Sequence, residues 1–259
     1  MSIIKNIIRY PIKGLSGEYL NKILLEVNQT IPGDREYAFA RFNTKFDQNN
    51  PVYLRKTNFL ALVKDKKLAK LTTIFNPKSK QFIIKIDNNI VVDEKLTNKN
   101  NINKVEIFFQ DYLGMSKEEK PRLVKGIKTN KTNSTHSFSD IPDKAISIIN
   151  LNTVLELQNK LGKQISPSRF RANILVDGVN AWEEFNWIGK KIYVGDAILE
   201  VFKRTQRCAA TNVNPDNGRR DINIPNQIKS YYGHVDLGIY AKVTKGGLIS
   251  ILNKLHISD

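Results

Sequence analysis

Short β-prone runs, each closed by a turn signal, recur along this 259-residue chain and constrain it to a strand-rich fold. Residues 3–10, 19–27 and 35–42 are such runs, separated by Pro11-Ile-Lys-Gly14 and Ile31-Pro-Gly-Asp34. Residues 71–75, 82–86 and 90–92 repeat the pattern around Asn76-Pro77 and Asp87-Asn-Asn89. This spacing predicts a meander or barrel in the first half, not a βαβ sheet. Val105, Phe108, Phe109 and Tyr112 fall on one face of a predicted helix over 103–113, and Gly114 follows as its terminator.

Residues 125–140 are rich in Lys, Thr, Asn and Ser, with almost nothing to bury, and predict a linker or long loop. Beyond it the pattern predicts a strand at 145–149 and a helix capped by Asn152 that presents Val154, Leu157 and Leu161 before stopping at Gly162. Strands follow at 174–176, 188–194 and 197–203, with a short helix from Pro225 to about residue 231. Residues 237–243 and 248–252 are expected to pair as a hairpin around Lys245-Gly-Gly247.

Lys and Arg outnumber Asp and Glu by 41 to 25, which raises the question of a nucleic-acid partner. Residues 51–135 hold ten of the sixteen surplus charges, with 16 Lys and 2 Arg against 8 acidic residues. These lysines are dispersed among Asn and Ile, as on a solvated surface. The chain lacks zinc-knuckle, helix-turn-helix and RNA-binding-sheet signatures, so no nucleic acid is expected. No apolar run approaches the roughly 20 residues of a membrane helix. The charged, Pro11-bounded N-terminus reads as a first strand and not a signal peptide. One cysteine cannot form an internal disulfide, and a cytoplasmic location is the expectation.

That cysteine, Cys208, lies just after a predicted strand and before Asn214-Pro-Asp-Asn-Gly218. Arg204 and Arg207 are close in sequence, and positive charge favours a thiolate able to bind a metal or attack an electrophile; a buried, inert thiol is the alternative. Arg169, Arg171 and Asn173 form a second cluster. If extended, the segment puts both arginines on one side, where guanidinium forks suit phosphate oxygens; surface ion pairs are the other reading. Lys13 and Arg35 are further basic residues at strand-turn junctions. His136, His234 and His256 have no metal-ligand spacing, and no nucleophile elbow, Walker loop or dinucleotide glycine motif is present.

Arg169-Phe-Arg-Ala-Asn-Ile-Leu-Val-Asp-Gly178, then Trp187-Ile-Gly189 and Val194-Gly-Asp196, resemble the MOSC domain, named for the C-terminal part of molybdenum-cofactor sulfurases. So do Arg204-Thr-Gln-Arg-Cys-Ala-Ala-Thr-Asn-Val-Asn-Pro215, Arg220-Asp221, Tyr232-Gly-His234 and Gly238-Ile-Tyr240. Tyr10-Pro-Ile-Lys13 and Gly33-Asp-Arg35 resemble the β-barrel unit that precedes MOSC in the amidoxime-reducing component and its bacterial relatives.

The resemblance implies an α+β, β-rich fold: a MOSC-type β-barrel core with peripheral helices over 135–259, a smaller N-terminal β-barrel-like unit over 1–115, and a polar linker over 116–134. It implies a molybdenum cofactor (Mo-molybdopterin) with Cys208 as metal ligand. Arg171 and Asn173 would contact the pterin, Lys13 and Arg35 its phosphate. Asn150, Asn152 and Thr153, the polar stretch before the helix, would line it, with Arg207 beside the thiol. An independent chemical expectation agrees, since a soft thiolate suits the metal and basic forks suit the phosphate. The implied activity is reduction of N-hydroxylated or N-oxygenated small molecules by a molybdenum oxidoreductase. With no cysteines for an iron–sulfur cluster, electrons would come from a separate ferredoxin, flavoprotein or cytochrome. The alternative is a non-catalytic module that carries the cofactor or its sulfur.

Overall fold

A register shift between Ile4 and Asn6 in β1 (Ile3–Arg9) brings Ile4 and Ile7, three residues apart, to the same core. The computed structural model describes residues 2–128 and 135–258. Strands β2 (Glu18–Leu20), β3 (Lys22–Leu25) and β4 (Tyr37–Ala40) follow. A meander of β5 (Thr72–Phe75), β6 (Gln81–Ile86) and β7 (Asn89–Lys95) leads into α1 (Lys99–Leu113) and β8 (Arg122–Lys125). The second half runs β9 (Ile146–Asn150), α2 (Leu151–Leu161), β10 (Ile174–Asp177), β11 (Lys191–Val194), β12 (Ala197–Gln206), α3 (Ile224–Tyr232), β13 (Asp236–Lys245), β14 (Gly247–Ser250) and β15 (Leu255–Ile257).

Eight strands make one curled, half-barrel sheet in the order β15-β11-β12-β13-β9-β10-β1-β2, and with its helices the chain has the expected β-rich fold. Residues 3–9 and 18–20 therefore hydrogen-bond into the same sheet as the strands after residue 145. Ile4, Ile7, Ile146, Ile148, Val201 and Ile239 share one core on this sheet. Its other face is covered by α2 and α3, through Val154, Leu157 and Ile228 packed with Ile8, Ile149 and Leu175. Within the second half, β9 and β10 are parallel and joined through α2, since two parallel neighbours need a crossover.

The first-half meander packs on α1, where Val105 and Phe109 are fully buried and Phe109 meets Phe39 with ring centroids 4.3 Å apart. Helix α1 begins earlier than its apolar stripe predicts, because Asn98 caps it by accepting from the Asn101 amide at 2.9 Å. Gly114 ends it in the left-handed region, at φ 71°.

Three local expectations give way to tertiary contacts. Asn150, not Asn152, caps α2, accepting from the Asn152 amide at 3.0 Å. Its Nδ2 is held by Asn180 O and Glu184, which fixes the side chain at the cap. Strand β14 pairs with β3 and not with β13 as a hairpin. Gly246 and Gly247 permit that route, because Cβ atoms there would lie 2.7 Å from Leu25 O and 2.4 Å from the Asp196 carbonyl carbon. In the polar stretch 125–140, Phe138 is 2% exposed and meets Phe46 and Phe59 at 5.2 and 5.1 Å. One buried aromatic ring anchors a segment whose composition reads as loop; residues 129–134 of the expected linker lie outside the described residues. Among the described residues, no helix is long and apolar enough to cross a membrane.

Candidate functional site

A cavity of about 700 Å³ opens where the N-terminal turns meet β12 and the segment before β10, large enough for a cofactor-sized ligand. Two interruptions in the β12–β13 pairing, between Val201 and Lys203 and between Arg204 and Gln206, break strict side-chain alternation. As a result residues 203–208 all line the cavity, including Arg207 and the partly exposed Cys208.

Lys56 Nζ lies 3.2 Å from Cys208 Sγ and 2.8 Å from Asp140 Oδ2, while Lys13 Nζ takes Asp140 Oδ1 at 2.5 Å. Phe138 positions this bridge: its carbonyl accepts from Lys13 Nζ at 2.8 Å, and its ring is fixed in the aromatic cluster. Asp140 faces the cavity with 42% of its side chain accessible, yet protein surrounds it. Burial alone would raise its carboxyl, but Lys13 and Lys56 outweigh that and hold it well below the usual carboxylate range. Burial likewise works against the Lys56 ammonium, and the Asp140 and Cys208 charges reverse the effect and raise it. At Lys13, 5% exposed, burial prevails and lowers the ammonium despite Asp140.

Arg35 and Arg171 flank the Tyr10 ring, with guanidinium carbons 4.9 and 4.3 Å from its centroid. Asp34 organises this corner, accepting from the Tyr10 amide at 2.8 Å and pairing with the Arg35 guanidinium. Arg35 Nη2 also donates to Arg171 O at 3.0 Å. Among the described residues Arg171 has no carboxylate partner, and its Nη2 is shut off from solvent without any hydrogen bond. Burial pulls its guanidinium down to about 10, so it remains charged at neutral pH. Arg171 is not part of an extended strip with Arg169, as alternation predicts. Pro167–Phe170 form a short 3-10 turn, and Arg171 ends it in the left-handed region at φ 54°. Arg169 is ion-paired to Asp221 at 2.8 Å.

Lys13, Arg35, Arg171, Asn173, Arg207 and Cys208 thus converge on one cavity. Asn173 reaches it with its amide already engaged: Oδ1 accepts from Ser147 Oγ at 2.9 Å and Nδ2 donates to Ile8 O at 3.2 Å. Arg207 is held by backbone carbonyls, Nη1 donating to Phe170 O at 3.1 Å and Nε to Leu237 O at 2.7 Å. Burial pulls its guanidinium down to about 10 as well. Asn150, Asn152 and Thr153 are not brought to the cavity. Asn150 and Thr153 hold the buried Glu184, and Asn152 Nδ2 donates to Val179 O at 2.6 Å. Burial pushes the Glu184 carboxyl up despite those donors.

Residue-by-residue reading misses Lys56 and Asp140, which have no motif around them and come from segments 84 residues apart. Tyr10 was legible only as part of Tyr10-Pro-Ile-Lys13. Six buried side-chain nitrogen or oxygen atoms among the described residues have no partner, and four belong to cavity-lining residues: Arg169 Nε, Arg171 Nη2, Thr205 Oγ1 and Asp236 Oδ1. Buried polar atoms are ordinarily satisfied, so four such atoms on cavity-lining residues set this region apart from the rest of the described structure.

Residues 133–254 match the MOSC domain family model. Mitochondrial amidoxime reducing component 2 of Rattus norvegicus is 29% identical over 168 residues, 55% of this chain and 49% of that protein. Molybdenum cofactor sulfurase of Bos taurus is 28% identical over 109 residues, 38% of this chain and 12% of that protein. The match therefore takes in about half of the rat protein's length and a small part of the bovine one. Among solved structures, the YuaD protein from Bacillus subtilis covers 99% of this chain and 96% of its own, at 13% identity and a TM-score of 0.43. The chain is a MOSC-domain protein, with that domain falling within residues 133–254.

Proposed function

We propose that this MOSC-domain protein binds a molybdenum–molybdopterin cofactor in the cavity beside Cys208 and acts as an oxidoreductase on N-hydroxylated or N-oxygenated small molecules. The observation that carries the reading is the unpartnered Arg171 Nη2 in a cavity that also holds the one thiol of the chain. An anionic phosphate suits Arg171, with Arg35 and Lys13 adjoining, and a heterocycle bearing amino, carbonyl and ring-nitrogen groups suits the free Thr205 hydroxyl and Asp236 carboxylate. The sulfur of Cys208 is a soft donor for the metal, and Lys56, fixed by Asp140, is positioned to hold it. The bound group would supply two-electron redox chemistry that side chains lack. The net reaction cleaves the N–O bond, consumes two electrons from a separate donor protein and two protons, and yields water with the N–H compound from an N-hydroxylated substrate or the free amine from an N-oxide.

In this reading residues 1–115 contribute Lys13, Arg35 and Lys56, residues 135–259 contribute Arg171, Asn173, Arg207 and Cys208, and the site needs both. A carrier role, in which the same residues hold and pass on the cofactor or its sulfur, is supported by the likeness to the sulfurase. Protein expressed in a host that makes the cofactor should contain about one molybdenum per chain by elemental analysis, and C208S should lose it while keeping its circular dichroism spectrum. Absence of metal from the unaltered protein refutes cofactor binding. A loaded, chemically reduced protein inert toward hydroxylamines and amidoximes leaves only the carrier role.

A further inference from the structure

Lysines dispersed along the first half of the sequence meet two arginines of the second half at the wall of the cavity. Arg220 makes the junction: Nη1 donates to Ala209 O at 2.8 Å and Nη2 to Val63 O at 2.7 Å. Val63 lines the cavity, and Ala209 directly follows Cys208. Gly218 closes the same junction, since a Cβ there would lie 3.1 Å from Lys66 O and 3.1 Å from the Lys70 side chain. On these adjoining segments, 62–70 and 209–221, Lys64, Lys66, Lys70, Arg219 and Arg220 are all exposed, and none is ion-paired among the described residues. The carboxylates beside them are already taken, Asp65 by Arg41 at 2.6 Å and Asp221 by Arg169 at 2.8 Å. Asp216 is the one acid of these segments without a cation among the described residues.

Five cations facing one uncompensated carboxylate create a positive field that reaches about 8 Å into solvent at physiological salt. Such a field speeds encounter with an anionic partner about 10- to 1,000-fold without requiring tight binding. Fast, weak encounter is what a protein electron donor needs, because it must arrive and leave in every turnover. Leu62, Val63 and Pro215, partly exposed on the same segments, supply apolar area for contact. A partner held over Arg220 stands against the wall that carries Cys208. Nucleic acid is the poorer fit, since residues 62–70 and 209–221 contain no aromatic side chain on which bases could stack.

We propose that Lys64, Lys66, Lys70, Arg219 and Arg220 form the docking surface for a small acidic redox protein, which is oxidised there as it delivers the electrons consumed in N–O cleavage. The partner's redox role rests on the reductase reading; the docking itself is a binding property.

The test compares the unaltered protein with a K64Q/K66Q/K70Q/R219Q variant, which leaves Arg220 and its backbone bonds in place. Exposed substitutions of this kind cost little stability. The probes are a plant-type two-iron ferredoxin and a flavodoxin, both acidic, with basic cytochrome c and a single-stranded oligonucleotide for comparison. By titration calorimetry at low salt the acidic proteins should bind and cytochrome c should not. The variant should bind them about ten- to hundred-fold more weakly, a difference that closes as salt rises. With metal-loaded protein, benzamidoxime reduction driven by reduced ferredoxin should slow in the variant by a similar factor. Reduced methyl viologen, a small molecule that needs no docking surface, should serve both proteins equally. No binding of either acidic protein overturns the proposal, as does equal binding by the variant, or an oligonucleotide that binds through these residues in their place. Charge-dependent docking with no reduction of benzamidoxime by either reductant keeps the surface and removes the reductase reading. Viologen-driven reduction with donor binding indifferent to the variant does the reverse.

Discussion

Arg171 sets stability against ligand binding, and R171M separates the two. The guanidinium has lost most of its water, lacks a carboxylate and leaves Nη2 unpaired, a defect that costs about 1–3 kcal/mol. Against this stands its contact with the Tyr10 ring at 4.3 Å, of about 0.5–2 kcal/mol. Methionine has similar reach and no charge. The left-handed backbone at φ 54° is equally strained for either side chain, and the Arg35 bond to the residue 171 carbonyl is retained. The balance runs from about 1 kcal/mol against the variant to about 2.5 in its favour and centres near 1 in its favour, and each kcal/mol moves Tm by about 2–4 °C in a chain near this size. In phosphate-free buffer R171M should therefore melt at or a few degrees above the unaltered protein. Excess inorganic phosphate should reverse the order. Ligand at a hundredfold its Kd stabilises by about 2.7 kcal/mol, and only the unaltered protein should gain this. Differential scanning fluorimetry with and without phosphate reads both effects. A variant destabilised by more than about 1 kcal/mol without anion would show that Arg171 is structurally satisfied. An equal phosphate shift in both proteins would place the anion elsewhere.

Thr153 Oγ1 donates to Glu184 at 2.8 Å and accepts from the Trp182 amide at 2.8 Å, so T153V should lower stability by about 1–3 kcal/mol in urea unfolding. Molybdenum retention should be unchanged; loss of metal without loss of stability would return Thr153 to the site. His136 packs on Phe46 and Phe138, and burial, helped by Lys144, pulls it down to about 4. The unfolded chain then binds the extra proton between about pH 6.5 and 4, so stability should fall as pH drops through that window. With the ring partly exposed, the loss should be about 1–2 kcal/mol and should vanish in H136Q; equal urea midpoints at pH 7 and 4.5 in the unaltered protein would contradict it.

Local signals were legible where backbone and side chain answer to near neighbours. Gly114 ends α1, Pro225 opens α3, and the turns at Asn76-Pro77 and Asp87-Asn-Asn89 divide the meander. Cys208 and Arg171 were readable as candidates from their chemistry, whereas Lys13 and Arg35 came forward only through the family resemblance; the structure lines one cavity with all four. Asn150, Asn152 and Thr153 were misplaced because an amide or hydroxyl before a helix looks alike whether it faces a ligand or an internal carboxyl such as Glu184.

From the sequence alone came the strand-rich class, most element positions and the thiol-and-guanidinium character of the site, because period, capping and turn chemistry act over a few residues. The tertiary structure decided that β14 joins β3, that β1 enters the later sheet, and that Lys56 and Asp140 meet at Cys208. It also decided which arginines have a carboxylate partner among the described residues and which, like Arg171, do not. Pairing and compensation depend on groups many residues apart, and which of the chain's 41 Lys and Arg residues finds one of 25 acids is fixed only when the core closes.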